Sequence, residues 1–236
     1  MVSDYFALVP AAGSGSRFGA MQPKQYELIG GRPMLEHTVR ALASQRGIKC
    51  VFVVLAPGDA QFSRCGWLGH PAQVVPLYCG GPTRASSVFN ALMAIRDLVD
   101  DDDWILVHDA ARPCVSRAEL DRLLGSLEDD EVGGLLALPV ADTLKRGDVR
   151  DRVVATEPRE GLWRALTPQM FRYRLLVEAL HRAKSVSITD EASAIERLGL
   201  QPRLVAGAAT NIKVTYAEDI ALAAAILAQR GEGRCG

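Results

Sequence analysis

The sequence predicts an α/β fold: a doubly wound, mainly parallel, Rossmann-like sheet with a protruding β-hairpin arm. Three observations carry that prediction. Short β-rich apolar runs alternate with segments of helical period, and a loop of small residues directly follows the first run. The rhythm then breaks once, over residues 140–158, in a polar and charged stretch. Strands separated by helices imply βαβ units, which place helices on both faces of a parallel sheet. The 236 residues suit one such domain, and residues 1–236 are read as a single unit.

In chain order, Tyr5–Val9, Val51–Leu55, Val74–Tyr78 and Trp104–His108 read as buried strands. Leu35, Val39 and Leu42 share one face of a first helix; Val88, Ala91, Leu92, Ile95 and Val99 share one face of a second. Asp100–Asp103 reads as a solvated loop ahead of a strand. Within VADTLKRGDVRDRVVATEP, Thr143–Lys145 and Arg152–Thr156 are expected to pair across Arg146–Asp151, with Gly147-Asp148 supplying the turn. Such a hairpin has little apolar surface of its own and is marginal alone in water, so a second copy of the chain is its natural support. Leu175–Ala183 and Ala192–Leu198 read as helices. The latter is capped by Thr189, carries Asp190 and Glu191 in its first turn, and stops at Gly199. Leu204–Ala206 and Asn211–Val214 are short strand candidates, Ala217–Gln229 a closing Ala-rich helix, and Gly231–Gly236 a frayed tail.

Hydrophobic residues are 48% and charged residues 23%, an ordinary globular balance. Lys plus Arg number 27 against 28 Asp plus Glu, so no global field points to nucleic acid or membrane, and phosphate-binding charge must be local. Five scattered cysteines form no C-x-x-C pair and no zinc spacing, which suits reduced thiols. Met1 to Pro10 has Asp4 inside it and no basic region ahead, and no run approaches the roughly 18 apolar residues of a membrane span. The expected location is cytoplasmic.

The strongest chemical signal is the loop after the first strand, Pro10-Ala-Ala-Gly-Ser-Gly-Ser-Arg-Phe-Gly19, followed by Pro23-Lys24-Gln25. Small residues at the carboxyl end of a parallel strand let backbone N–H groups approach a phosphate chain. Gly13, Gly15 and Gly19 give G-x-G-x-x-x-G, one residue off the dinucleotide fingerprint, and no G-K-[ST] closes a P-loop. Two readings stay open on spacing alone. Arg17 and Lys24 are fixed cations for a triphosphate, or the loop is a plain turn with two surface cations.

The run PAAGSGSRFG…PKQY resembles the signature of the 2-C-methyl-D-erythritol 4-phosphate cytidylyltransferases of non-mevalonate isoprenoid synthesis. The resemblance continues in order through GGPTRASSV (80–88), VHDAARPC (107–114), ADTLK (141–145), GLWRALTPQMF (161–171), TDEASAIE (189–196) and NIKVT (211–215). It implies a nucleotidyltransferase in which a sugar-alcohol phosphate attacks the α-phosphorus of CTP and pyrophosphate leaves. It further implies that Arg17 and Lys24 stabilise the pentacoordinate transition state, and that Ala11, Ala12, Gly13, Gly81 and Ser87 receive the cytosine with Arg84 nearby. The position after Gly81, often acidic in relatives, is Pro82 here, which offers neither N–H nor carboxylate.

The resemblance gives Asp109 to Mg²⁺ or another hard divalent cation. A carboxylate at the end of a parallel strand faces the ligand crevice, and Mg²⁺ takes one or two carboxylates with phosphate oxygens and water. Ala110 is placed by the ribose, Arg112 near the sugar phosphate and Lys213 on the methylerythritol phosphate. Thr189 is a further candidate for the substrate, though capping explains it as well, and Thr167 is equally ambiguous. His108 is read as packing within the strand end. Residues 140–158 become an arm that crosses a two-fold axis, so that Thr143 and Arg159 bind substrate phosphate in the other subunit of a homodimer. The nearest alternative is the same chemistry on ribitol 5-phosphate; a remote one is a redox or regulatory dinucleotide-binding domain.

Overall fold

The computed structural model describes residues 3–13, 23–65, 73–183 and 188–231. Arg17, Gly15 and Gly19 lie outside the described residues, as does most of the Gly231–Gly236 tail. The strands are β1 (Tyr5–Pro10), β2 (Leu28–Ile29), β3 (Arg32–Pro33), β4 (Ile48–Val54), β5 (Gln73–Leu77), β6 (Trp104–Val107), β7 (Gly134–Pro139), β8 (Leu144–Gly147), β9 (Val153–Glu157), β10 (Trp163–Arg172) and β11 (Arg203–Ala206). The helices are α1 (Met34–Ala43), α2 (Arg84–Ala94), α3 (Arg117–Leu127), α4 (Tyr173–Arg182), α5 (Glu191–Glu196) and α6 (Asp219–Gln229).

Among the described residues, seven strands form one sheet in the order β11-β7-β10-β6-β1-β4-β5. The β1–β4, β4–β5, β1–β6 and β7–β11 pairs are parallel, and β10 runs antiparallel to both β6 and β7. The sheet is therefore mainly parallel, with one reversed strand inside it. Alternation along β1 explains the two layers of helices. Ala7 and Val9 pack with Leu35, Val39 and Leu42 of α1 and with Leu120, Leu123 and Leu127 of α3. Phe6 and Leu8 face the other way, against Val88, Ala91 and Leu92 of α2 and Leu176 and Leu180 of α4. Side chains of this kind contribute about 1.5–3 kcal/mol each when fully buried. A third cluster sits at the carboxyl end of the sheet, where Ala223, Ile226 and Leu227 of α6 cover Ile29, Met34, Ala111 and Val214.

Several expectations shift. The reversed strand β10 and the elements β7 and α3 are additions to the sequence reading. Asn211–Val214 is not a strand; it runs beside the Asp109–Ala111 turn, with the Val214 N–H donating to the Ala111 carbonyl at 2.8 Å. The cap of α5 is Asp190, not Thr189, because the Asp190 carboxylate accepts the Ser193 N–H and the Ser193 hydroxyl faces the Asp190 N–H in return. Within the Asp100–Asp103 run, Asp103 is buried, and its carboxylate accepts the N–H groups of Asp4 and Asp100, each at 2.8 Å.

The hairpin forms one residue later than expected, with Gly147 still paired to Val153. Its turn is Asp148–Arg152: the Asp148 N–H donates to the Arg152 carbonyl, and Asp151 takes the positive φ of 57°. Val149 is fully exposed, and Val153 and Val154 are 67% and 63% exposed. Within one chain these side chains find no cover. Among the described residues, no helix is long and apolar enough to cross a membrane.

Candidate active site

From β1 the chain steps through α1 to β4 and onward to β5, then returns through α2 to β6 on the opposite side of β1. Chain connections diverge at such a point and leave a crevice beyond the carboxyl ends of the strands. A cavity of about 500 Å³ occupies that position here. One wall is the Pro10–Gly13 exit of β1, another the Asp109–Ala111 turn after β6. Gln25 joins the Lys24 turn to the first wall by donating from Nε2 to the Ala11 carbonyl at 2.7 Å. Thr38 on α1 joins the second by donating to the Ala110 carbonyl at 3.0 Å.

The third wall is the turn that starts α2. Ser87 is 3% exposed, and its hydroxyl accepts the Gly81 N–H at 3.0 Å and donates to the Thr83 carbonyl at 2.9 Å. Thr83 and Ser86 form a reciprocal cap for the helix. Gly80 sits where backbones nearly touch: a Cβ there would lie 2.2 Å from the Ala12 Cβ and 2.8 Å from the Leu55 carbonyl oxygen. Gly80→Ala is therefore expected to cost about 1–3 kcal/mol by overpacking. Denaturant titration checks it, and an unchanged midpoint would contradict the geometry.

Charge gathers on Asp109. Its Oδ1 lies 2.9 Å from Arg84 Nε, and its Oδ2 lies 2.8 Å from Lys213 Nζ and 3.7 Å from Arg112 Nε. Burial alone would raise the Asp109 carboxyl, but Arg84, Lys213 and Arg112 outweigh it and hold the group well below the usual carboxylate range. Arg84 is shared: its NH1 meets Glu191 Oε1 at 2.6 Å, and Glu191 is 1% exposed. Lys24 donates from Nζ to the Val214 carbonyl at 2.7 Å, next to Lys213. Both lysines and Asp109 line the same cavity, an arrangement that can receive several phosphate groups around one carboxylate.

His108 lies behind this surface and is fully buried. Burial pushes its imidazole down to about 4 from 6.5, outweighing the Arg112 carbonyl and the Asp109 carboxylate, which favour the charged ring. Between those values the unfolded chain binds a proton that the folded chain does not. Stability is therefore lost as pH falls from about 6.5 to about 4, by roughly 3 kcal/mol for this group. Urea titrations between pH 7 and 4 should show a steeper loss for the unmodified protein than for His108→Gln; equal slopes would contradict it.

Among the described residues, no group of three or more metal-type side chains comes together. Asp109 suits the mode in which Mg²⁺ would take one protein carboxylate together with phosphate oxygens and water. Of the residues expected from the sequence, Ala11, Ala12, Gly13, Lys24, Gly81, Ser87, Asp109, Ala110 and Lys213 all line the cavity, and Arg112 adjoins it through Asp109. Thr143, Arg159 and Thr189 are exposed and do not line it. Arg159 instead donates to the Ala141 carbonyl at the root of the arm. The sequence reading missed Glu191 and Gln25 and gave Arg84 too small a part. Glu191 stands 107 residues from Arg84, so no local spacing signals that pair.

A family-wide sequence model described as 2-C-methyl-D-erythritol 4-phosphate cytidylyltransferase matches residues 5–229. A protein of that name from Dechloromonas aromatica (strain RCB) is 58% identical over 226 residues, covering 96% of this chain and 98% of the relative. One from Nitrosospira multiformis is 55% identical over 228 residues, covering 96% and 98%. A crystal structure of 4-diphosphocytidyl-2C-methyl-D-erythritol synthase superposes with a TM-score of 0.82 at 38% identity, over 96% of this chain and 100% of that one.

Proposed function

The chain belongs to the family of 2-C-methyl-D-erythritol 4-phosphate cytidylyltransferases, and from that premise we propose how its crevice performs the family's reaction. The enzyme transfers CMP from CTP to 2-C-methyl-D-erythritol 4-phosphate, giving 4-diphosphocytidyl-2-C-methyl-D-erythritol and pyrophosphate, a step in isoprenoid precursor synthesis. The observation that supports the assignment of parts is the Asp109 cluster, where Arg84, Arg112 and Lys213 converge beside Lys24 at the switch point.

An oxygen of the polyol phosphate attacks the α-phosphorus of CTP, and the bond to the β-phosphate oxygen breaks. Attacker and target are both anions, so fixed cations must first offset their repulsion and then the charge growing on the α-phosphoryl oxygens. Lys24 and Arg17 take that part. No base is required, because the attacking phosphate is already ionised. Ala11, Ala12 and Gly13 receive the nucleotide with Gly81 and Ser87, and Ala110 lies by the ribose. Lys213 and Arg112 orient the polyol phosphate, with Thr189 at its margin. Asp109 would hold Mg²⁺ or another hard divalent cation, which when bound supplies further neutralisation of the triphosphate.

In this reading the working unit is a homodimer, and Thr143 and Arg159 on the arm of residues 140–158 serve the partner's site. The uncovered Val149, Val153 and Val154 support it, as does the absence of both residues from the lining of their own chain's cavity. The setting is the cytoplasm, in keeping with scattered, unpaired cysteines among the described residues. The experiment is incubation with CTP, Mg²⁺ and either methylerythritol phosphate or ribitol phosphate, measuring pyrophosphate. Release with methylerythritol phosphate is expected, and release with ribitol phosphate alone would reverse the choice of substrate.

A further inference from the structure

We propose that His108 is a positioning residue for the polyol-phosphate half of the site, fixing the Asp109–Arg112 turn through a closed circuit of hydrogen bonds. The inference rests on the reading above that Arg112 and Lys213 face the polyol phosphate.

The circuit follows from donor and acceptor chemistry. A backbone carbonyl only accepts, so His108 Nε2, 3.0 Å from the Arg112 carbonyl oxygen, carries the ring proton and donates it there. His108 Nδ1 is then an acceptor and takes the Thr167 hydroxyl at 2.9 Å. Thr167 Oγ1, its proton so committed, accepts the Asp109 N–H at 3.1 Å. The Thr167 carbonyl accepts Asn211 Nδ2 at 2.9 Å, and the Asn211 carbonyl accepts Arg112 NH1 at 2.7 Å. One buried ring thereby ties together the end of β6, the middle of β10 and the segment that carries Lys213.

Burial gives the circuit its stiffness. His108 is 0% exposed, Asn211 1% and Thr167 5%, so water does not compete for these bonds, and breaking one leaves a partner unsatisfied. The bonds set the carbonyl of Arg112 from one side and its guanidinium from the other. A turn held at both ends keeps Arg112 in one orientation toward a phosphate. The cytosine side is built separately: Gly81 and Ser87 are fixed by bonds within the first turn of α2. Loss of His108 should therefore fall chiefly on the polyol phosphate and leave base recognition unchanged.

Residues that orient metal ligands from behind change metal affinity or activity by about ten- to a hundred-fold when removed, and a similar scale is expected for His108 behind Arg112. His108→Leu is expected to raise the KM for methylerythritol phosphate by that factor, with a smaller change in the KM for CTP and the preference for CTP over UTP unchanged. His108→Gln, whose amide can donate to the Arg112 carbonyl and accept from the Thr167 hydroxyl, should recover most of the loss. Thr167→Val breaks the same link without touching the ring and carries the test should His108→Leu fail to fold. The proposal is overturned if the folded variants keep both KM values, if CTP recognition weakens equally, or if glutamine rescues no better than leucine. No turnover by the unmodified protein with either polyol phosphate would instead overturn the functional reading. Calorimetric binding of methylerythritol phosphate to the same variants would still test His108.

Discussion

Replacing Asp109 with asparagine is expected to lower kcat/KM by about a hundred- to a thousand-fold. The change is nearly isosteric, so the loss is one of charge. The amide oxygen could still accept from Arg84 but would carry no charge, and the NH2 in place of Oδ2 would turn a donor toward Lys213 and Arg112. Glu191 would remain as the one acidic partner of Arg84 in that group. Breaking such a buried pair costs about 3–5 kcal/mol of stability, so activity has to be compared under conditions where both proteins are folded. The carboxylate available to a divalent cation also disappears, and half-saturation by Mg²⁺ should shift upward together with the fall in rate. A folded variant within tenfold of the unmodified rate, with unchanged Mg²⁺ dependence, would remove Asp109 from the centre of the site.

The second large effect is a recovery. Lys24→Ala and Arg159→Ala should each be nearly inactive alone, the first through the α-phosphoryl group and the second through the partner's polyol phosphate. If arms are exchanged, a mixed dimer has one site carrying both lesions and one carrying neither. Random exchange makes half of all dimers mixed, so the mixture should regain about a quarter of normal activity. Subunit exchange followed by a pyrophosphate assay measures this. No recovery in dimers proven to be mixed would mean that each arm serves its own chain.

The legible parts of the fold were those in which one physical cause acts alone. β1, β6 and β4 beyond Lys49 are continuous apolar runs because both faces are covered, and α1 and α2 display their buried stripes plainly. β10 was hidden because its first three residues are exposed and its register shifts around Thr167-Pro168, so neither alternation nor a continuous run appears. α3 did carry a signal in the reciprocal pair Ser116 and Glu119 ahead of Leu120, Leu123 and Leu127. The cap of α5 was decidable too: from Asp190 the third helical residue is Ser193, which can return the bond, whereas from Thr189 it is Ala192, which cannot. In the site, loop glycines and Lys24 were visible because phosphate chemistry demands those residue types in one short stretch. Glu191 and the circuit through His108 were not, since their meaning lies in partners brought close only by the sheet.

The reversed strand β10 has an evolutionary consequence. Because it runs against β7, the chain leaves the sheet at Pro139 and rejoins it at Trp163 directly opposite, at the same end as the crevice. Everything between is an excursion whose two feet stand side by side. Lengthening it costs only the slowly growing entropy of a longer loop, and no crossover has to be rethreaded. A lineage can therefore extend, shorten or re-aim this limb by simple insertion and deletion while the framework stays still. The architecture keeps the sheet and its crevice apart from a limb whose length is free to change.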